Sequence, residues 1–380
     1  MIKPLIAQSI RRGRDAQTGF SLVELMVAVT IGLLLLTGLT VIFINSSSAN
    51  RELQKASQQT ENGRYAMDLL TQDIRHAGFY GHLSELTNAT ALPDPCDTSS
   101  TSVLSGALSL PLQGIRAADL STAASVSGTS CGTLLPLSNL KAGSDILVIR
   151  RAATTALAVG SATLANEAYL QANNSSGEVQ LGNGASLAAG KKANGADATL
   201  FLKNGTTAAP IRKLVTHIYF VAPCSVGSGT GGVCQSGDDA IPTLKRLELG
   251  AGSSGAALSL KPLVEGIDYL KLEYGIDNVP STVNAATGAM GDGNVDSFVT
   301  APTLAQWGTV VGAKVFILAR NTEATFGYQD IKTYKLGSGT ASGAATTTSV
   351  TTAAANDAFK RHLFTSVVQL VNPRGRKEIP

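Results

Sequence analysis

Residues 20–45, FSLVELMVAVTIGLLLLTGLTVIFIN, carry a single charge, Glu24, and no proline. At ~1.5 Å rise per residue, a helix over this run is long enough for a hydrocarbon core of about 30 Å. The preceding residues 1–19, MIKPLIAQSIRRGRDAQTG, are basic, with Lys3, Arg11, Arg12 and Arg14 against Asp15. A secretory signal places its cleavage site after a shorter apolar core. Here the small residue, Gly19, comes before the apolar run, so cutting at the Gly19–Phe20 junction would leave the membrane helix on the mature chain. The basic side is expected to stay cytoplasmic, with everything after Ile44 on the far side of the inner membrane.

The helical pattern continues beyond that run. In residues 45–79, Leu53, Ala56, Thr60, Gly63, Ala66, Leu70, Ile74 and Ala77 recur at intervals of three and four, with the charges on other faces. No proline occurs until Pro93, and Gly78 and Gly81 supply stop signals. One helix from about 20 to 77 would span ~85 Å. Glu24 is the anomaly within it. A carboxylate or ammonium near the centre of a spanning helix costs roughly 2.5–3.5 kcal/mol on insertion scales. Close to the cleaved end it can sit at the interface. Its two readings are a tolerated interfacial charge and a partner for the free amine of a neighbouring subunit.

After Gly81 the pattern changes to short β segments between Gly-, Ser- and Asn-rich loops. Strands are expected at 145–152, 198–203, 213–222, 244–250, 267–277, 313–321 and 362–372, with residues 87–140 rich in loops. Turn residues between them indicate an antiparallel meander, not βαβ units. Residues 337–355, LGSGTASGAATTTSVTTAA, read as a mobile low-complexity loop.

Of the 380 residues, 30 are Lys or Arg and 27 Asp or Glu, a net charge of +3, which leaves no basic footprint for nucleic acid. Charged residues at 15% and 39 glycines suit an exported strand-and-loop protein, and 44% hydrophobic residues argue against wholesale disorder. The cysteines, Cys96, Cys131, Cys224 and Cys234, contain no C-x-x-C pair, which argues against a zinc ribbon. Outside the cytoplasm an even count favours disulfides. Cys224 and Cys234 bracket the Gly/Ser-rich APCSVGSGTGGVCQ, leaving Cys96 to pair with Cys131; four unpaired thiols are the alternative.

Several motifs resemble chemistry without its context. Gly227, Gly229 and Gly232 satisfy G-x-G-x-x-G, but a dinucleotide site needs a helix to begin there. Residues 128–132, GTSCG, match G-x-S-x-G without the strand and helix of a nucleophile elbow. His217 and His362 lie in strand patterns and His76 and His82 at the helix end, and none has an identifiable catalytic partner in the sequence. Asp292, Asn294 and Asp296 space oxygen ligands as at positions 1, 3 and 5 of a calcium loop. Ser297 replaces the glycine expected next and Thr303 the closing Glu, so an Asx-rich turn competes with a calcium site. No other cofactor is expected.

Gly19-Phe20-Ser21-Leu22-Val23-Glu24 before an apolar run resembles the class III leader junction of type IV pilins and type II secretion pseudopilins. The stretch GRYAMDLLTQDIRHAGFYG, residues 63–81, resembles minor pilins of the PilW type, as do 143–151, 265–277, 290–298, 313–320 and 361–376. The resemblance implies an α+β pilin fold, a long N-terminal helix against an antiparallel β-sheet head. The divisions would be a leader at 1–19, a transmembrane half at 20–45, an amphipathic half at 46–80 and a periplasmic head at 81–380. A prepilin peptidase would cut after Gly19 and N-methylate Phe20, and Glu24 would meet a neighbour's Phe20 amine. The implied function is non-enzymatic: a minor pilin of a priming or tip complex. Its expected partners are other minor and major pilins, the pilus assembly machinery, the inner membrane and a tip adhesin, with twitching motility and adhesion as outcomes. A type II secretion pseudopilin and a membrane-tethered adhesion module are the alternatives.

Overall fold

A computed structural model describes residues 19–84, 86, 89–116, 130–278, 292–337, 340–341, 344–345, 349–351 and 357–375. The leader residues 1–18 and parts of the 337–355 segment lie outside the described residues. The chain divides into two compact units, Met1–Gln54 and Lys55–Pro380. Helix α1, Leu22–His76, runs through that boundary. It ends where expected: Gly78 and Gly81 both take φ of +73°, the left-handed region that glycine enters without a Cβ penalty.

The second unit contains, in chain order, α2 (Thr101–Ala107), β1 (Leu112–Ile115), β2 (Ile146–Ala152), β3 (Ala168–Ala172), β4 (Gly177–Leu181) and β5 (Ile211–Ala222). There follow β6 (Thr243–Ala251), β7 (Ala256–Glu265), β8 (Ile267–Ile276), β9 (Ser297–Val299), α3 (Leu304–Trp307) and β10 (Val310–Arg320). Last come β11 (Thr333–Lys335), β12 (Thr340–Ala341), β13 (Ala344–Ala345), β14 (Ser349–Thr351), β15 (Arg361–Gln369) and α4 (Val371–Gly375).

The head holds two main antiparallel sheets and not one meander. In the first, β5 is long enough to pair with β2 along one edge and to divide its other edge between β3 and β6, with β1, β4 and β7 outside them. The second runs β15-β10-β8-β9. In the 337–355 segment, the described residues form the ribbon β12–β13 and the partner strand β14 of β11.

The core of this unit forms where α1 meets both sheets. Ala66, Leu70, Ile74 and Ala77 are fully buried with Leu147 and Tyr219 of the first sheet and Leu270, Val315 and Ile317 of the second. The helical stripe is therefore real, but only its C-terminal part is covered; Leu53 stays 68% exposed. Nor is it purely apolar, because Gln59 and Asp73 are buried on it. Gly63 is explained by contact: a Cβ there would run into the Phe364 ring of β15.

Two departures from the expected strands have a local cause. Residues 198–203 make only the isolated bridge Phe201↔Ala208, because the chain turns back at Gly205 with a φ of +70°. The last strand stops at Gln369, not Asn372. Pro373 cannot donate to a ladder but fits the first turn of α4, and Asn372 Nδ2 donates to Ala77 O at the end of α1 (3.2 Å).

Candidate functional site

The N-terminal segment is a helix start with its donors satisfied. Ser21 Oγ accepts from Glu24 N (3.2 Å), and a Glu24 carboxylate oxygen accepts from Ser21 N (3.0 Å). This is a reciprocal capping box, with Ser at N-cap and Glu three residues on. The S-x-x-E spacing of Ser21 and Glu24 is the sequence signal for this cap. The carboxylate also lies in the first turn, where the helix dipole favours negative charge. Phe20 is 90% exposed immediately ahead of the cap.

From Phe20 to Ile44 the large apolar side chains all stand exposed, and α1 is long and apolar enough to cross a membrane. The threonines in this run hide their polarity locally. Thr30 Oγ1 donates to Met26 O (2.9 Å), Thr37 Oγ1 to Leu33 O (2.8 Å) and Thr40 Oγ1 to Leu36 O (2.8 Å). An apolar solvent penalises unsatisfied hydroxyls, and these bonds remove that penalty.

The second unit fastens its own part of α1 by polar contacts. Gln59 Nε2 donates to Ala319 O (2.8 Å) and Lys360 O (2.9 Å), and Asn62 Nδ2 to Glu265 O (3.0 Å). Asp73 is the centre of the strongest group. Its carboxylate takes Arg151 Nε of β2 at 2.8 Å, and His217 Nδ1 and Tyr219 Oη of β5 at 2.5 and 2.8 Å. Burial alone would raise the Asp73 pKa, but the hydrogen bond and charge of His217, with those of Arg151, hold it well below the usual range. Burial and the same carboxylate push the Tyr219 phenol up. His217, a lone strand histidine in the sequence, thus pairs with a residue 144 positions away; no local signal reveals it.

Cys96 is joined to Cys131 and Cys224 to Cys234, with Cα separations of 5.0 and 5.8 Å. The glycines at 227–232 lead into a three-residue 3-10 turn, not a helix, so no helix N-terminus faces a phosphate. Gly128 and Thr129 lie outside the described residues; Ser130 opens a short 3-10 turn and donates its N–H to Asp94 (2.9 Å).

At the calcium candidate, Asp292 accepts from Asn294 N (2.8 Å) and Asn294 Nδ2 (3.0 Å), and Asp296 accepts from Asn278 N (2.7 Å). The side-chain amide of Asn294 thus points its donor, not its oxygen, at Asp292, and the oxygens serve the turn. This arrangement is that of an Asx turn. Among the described residues, the His, Cys, Asp and Glu group close enough to share an ion is Asp94, Cys96 and Cys131, whose sulfurs are already joined to each other.

An exposed apolar helix with a Ser21–Glu24 cap, ahead of antiparallel sheets that grip its C-terminal part, defines an α+β protein of pilin-like architecture. Its apolar start is consistent with membrane anchorage. Residues 218–372 match the family model described as Type IV Pilus-assembly protein W, and residues 14–40 match the Prokaryotic N-terminal methylation motif. The two matches support a PilW-type minor pilin, related to type IV pilus assembly. No curated protein and no solved structure matches the chain.

Proposed function

We propose that this chain is a structural subunit, not an enzyme, that is cut after Gly19, methylated at the Phe20 amine, and joins other minor pilins in a complex that primes the pilus or ends at its tip. The observation that carries this reading is the exposed, internally satisfied apolar segment 20–44 directly behind Gly19. In the membrane it is solvated by lipid; in a filament, by the same segment of neighbouring subunits. The head then lies in the periplasm before assembly and on the pilus afterwards.

In this account Glu24 changes partner. In the isolated chain it holds Ser21 N–H. On assembly its charge faces the Phe20 amine of an adjacent subunit, an attraction far above the ~1 kcal/mol of water once both groups leave solvent, less their desolvation cost. The experiment is crosslinking in cells followed by membrane solubilisation and capture of this chain. Recovery of other minor pilins supports the proposal. Recovery of secretion pseudopilins alone, with pilus number unchanged on deletion, overturns it in favour of the pseudopilin reading.

A further inference from the structure

The two disulfides sit in opposite electrostatic surroundings. Lys245 of β6 is 1% exposed, and its Nζ lies 3.5 Å from Cys234 Sγ, 3.7 Å from Cys224 Sγ and 3.4 Å from Gly232 O. Disulfide sulfurs are weak acceptors, so this buried cation has poor compensation while the bridge is closed. Asp238 and Asp239 act on it from further away, yet they are committed to the loop. Asp239 accepts from Ser225 N, Val226 N and Ile241 N, and Asp238 from Ser228 N and Gln235 N. Desolvation pushes the Lys245 pKa down and those two carboxylates oppose it. At the other bridge the nearby charge is negative: the Asp94 carboxylate lies 3.9 Å from Cys131 Sγ.

Both bridges are buried, Cys224 and Cys234 at 1% and 3% exposed and Cys96 and Cys131 at 5% and 0%. Cys224 and Cys234 line a cavity of about 660 Å³ together with the exposed Ser138, Gln235, Ser236 and Asp239. The bridge thus stands between an open cavity on one side and a buried ammonium on the other.

We propose that Cys224–Cys234 is a thiol-exchange site at which a dithiol reductant opens the bridge and Lys245 holds the departing thiolate. A thiolate of the reductant enters through the cavity and attacks one sulfur; the S–S bond breaks and its electron pair leaves on the other sulfur. The second thiol of the reductant then displaces the mixed disulfide. The reductant ends as a disulfide, having given up two electrons and two protons. The chain ends with one thiol and one thiolate paired with Lys245, and the remaining proton goes to solvent. A leaving sulfur stabilised as thiolate leaves faster, and a neighbouring lysine provides that stabilisation. Opening removes the covalent tie across the 224–234 loop on the face of the head.

The test uses the full chain in detergent, treated with dithiothreitol at fixed pH, quenched with acid, alkylated and mapped by mass spectrometry. Cys224 and Cys234 should become alkylated about threefold or more faster than Cys96 and Cys131, the effect of roughly one pKa unit in the leaving thiol at a Brønsted slope of about 0.5. In guanidinium chloride the ratio should collapse towards unity. Lys245→Met should slow opening of Cys224–Cys234 by a similar factor without changing Cys96–Cys131, and Lys245→Arg should restore it. Equal rates in the folded wild type, Cys96–Cys131 opening first, or no change in a folded Lys245→Met chain would each overturn the proposal. If Lys245→Met does not fold, the wild-type pair of rates decides.

Discussion

Replacing Asp73 should loosen α1 from the first sheet of the head. In Asp73→Ala, Arg151 and His217 lose their carboxylate while their side chains are only 21% and 13% exposed, and Tyr219 Oη loses its acceptor too. Breaking a buried ion pair by removing one partner costs about 3–5 kcal/mol. Partial exposure of both partners lets water repay some of that, so the lower end, about 3 kcal/mol, is expected. At ~2 °C per kcal/mol, the lower end for domains of about 150–250 residues, Tm should fall by roughly 6 °C. Trp307 is the chain's sole tryptophan, 5% exposed and 4.7 Å from the Tyr274 ring in the same core, so its fluorescence reports this unfolding. The pH dependence carries a sign. Because the folded pKa of Asp73 is depressed, its contribution is complete above the unfolded value of about 3.9 and is lost as pH falls from there towards the folded value. Asp73→Asn should therefore lose most of the stability at neutral pH and flatten the acid limb of the Tm profile. A melt within 1 °C of wild type for Asp73→Ala, or an unchanged acid limb for Asp73→Asn, would refute the reasoning.

Glu24→Gln keeps an oxygen for Ser21 N–H but removes the charge, whereas Glu24→Ala removes both, at about 1 kcal/mol for the lost cap. Both variants should leave the head melt unchanged and both should fall in pilus incorporation; a fully incorporated Glu24→Gln chain would mean the residue serves only the cap. Gly63→Val should destabilise the head by about 1–3 kcal/mol through collision with Phe364, read by the Trp307 melt, and adding Phe364→Ala should recover part of that loss.

The parts of this structure legible in the sequence are those with strong periodicity. Helix α1 and strands β2, β5, β6, β8 and β10 announced themselves by apolar spacing. Strands β3 and β4 did not, because Gln171 and Gln180 are buried in them and bond to each other (3.3 Å), so polar letters stand at core positions. Strand β7 contains Pro262 and, among the described residues, is paired only with β6, which gives it little apolar alternation. Helix α2 lies in a Ser/Thr-rich stretch that reads as loop, yet Ser100 Oγ caps it by accepting from Val103 N (3.3 Å). Lys245 shows the same limit. It shares a strand face with the buried Leu247 and Leu249, so a charged letter stands at a core position. Pairings such as Asp73 with His217, or Lys245 with a disulfide, depend on sheet register, which composition does not encode.

Cleavage at the Gly19–Phe20 junction decides most directly whether the apolar helix stays on the mature chain. Intact mass and N-terminal peptide analysis of this chain from sheared pili of peptidase-competent cells should find it beginning at N-methylated Phe20, and cells lacking the peptidase should retain the chain from Met1 in the membrane. A chain beginning at Met1 in peptidase-competent cells, or a mature chain cut beyond Ile44 so that the apolar helix is gone, would contradict it.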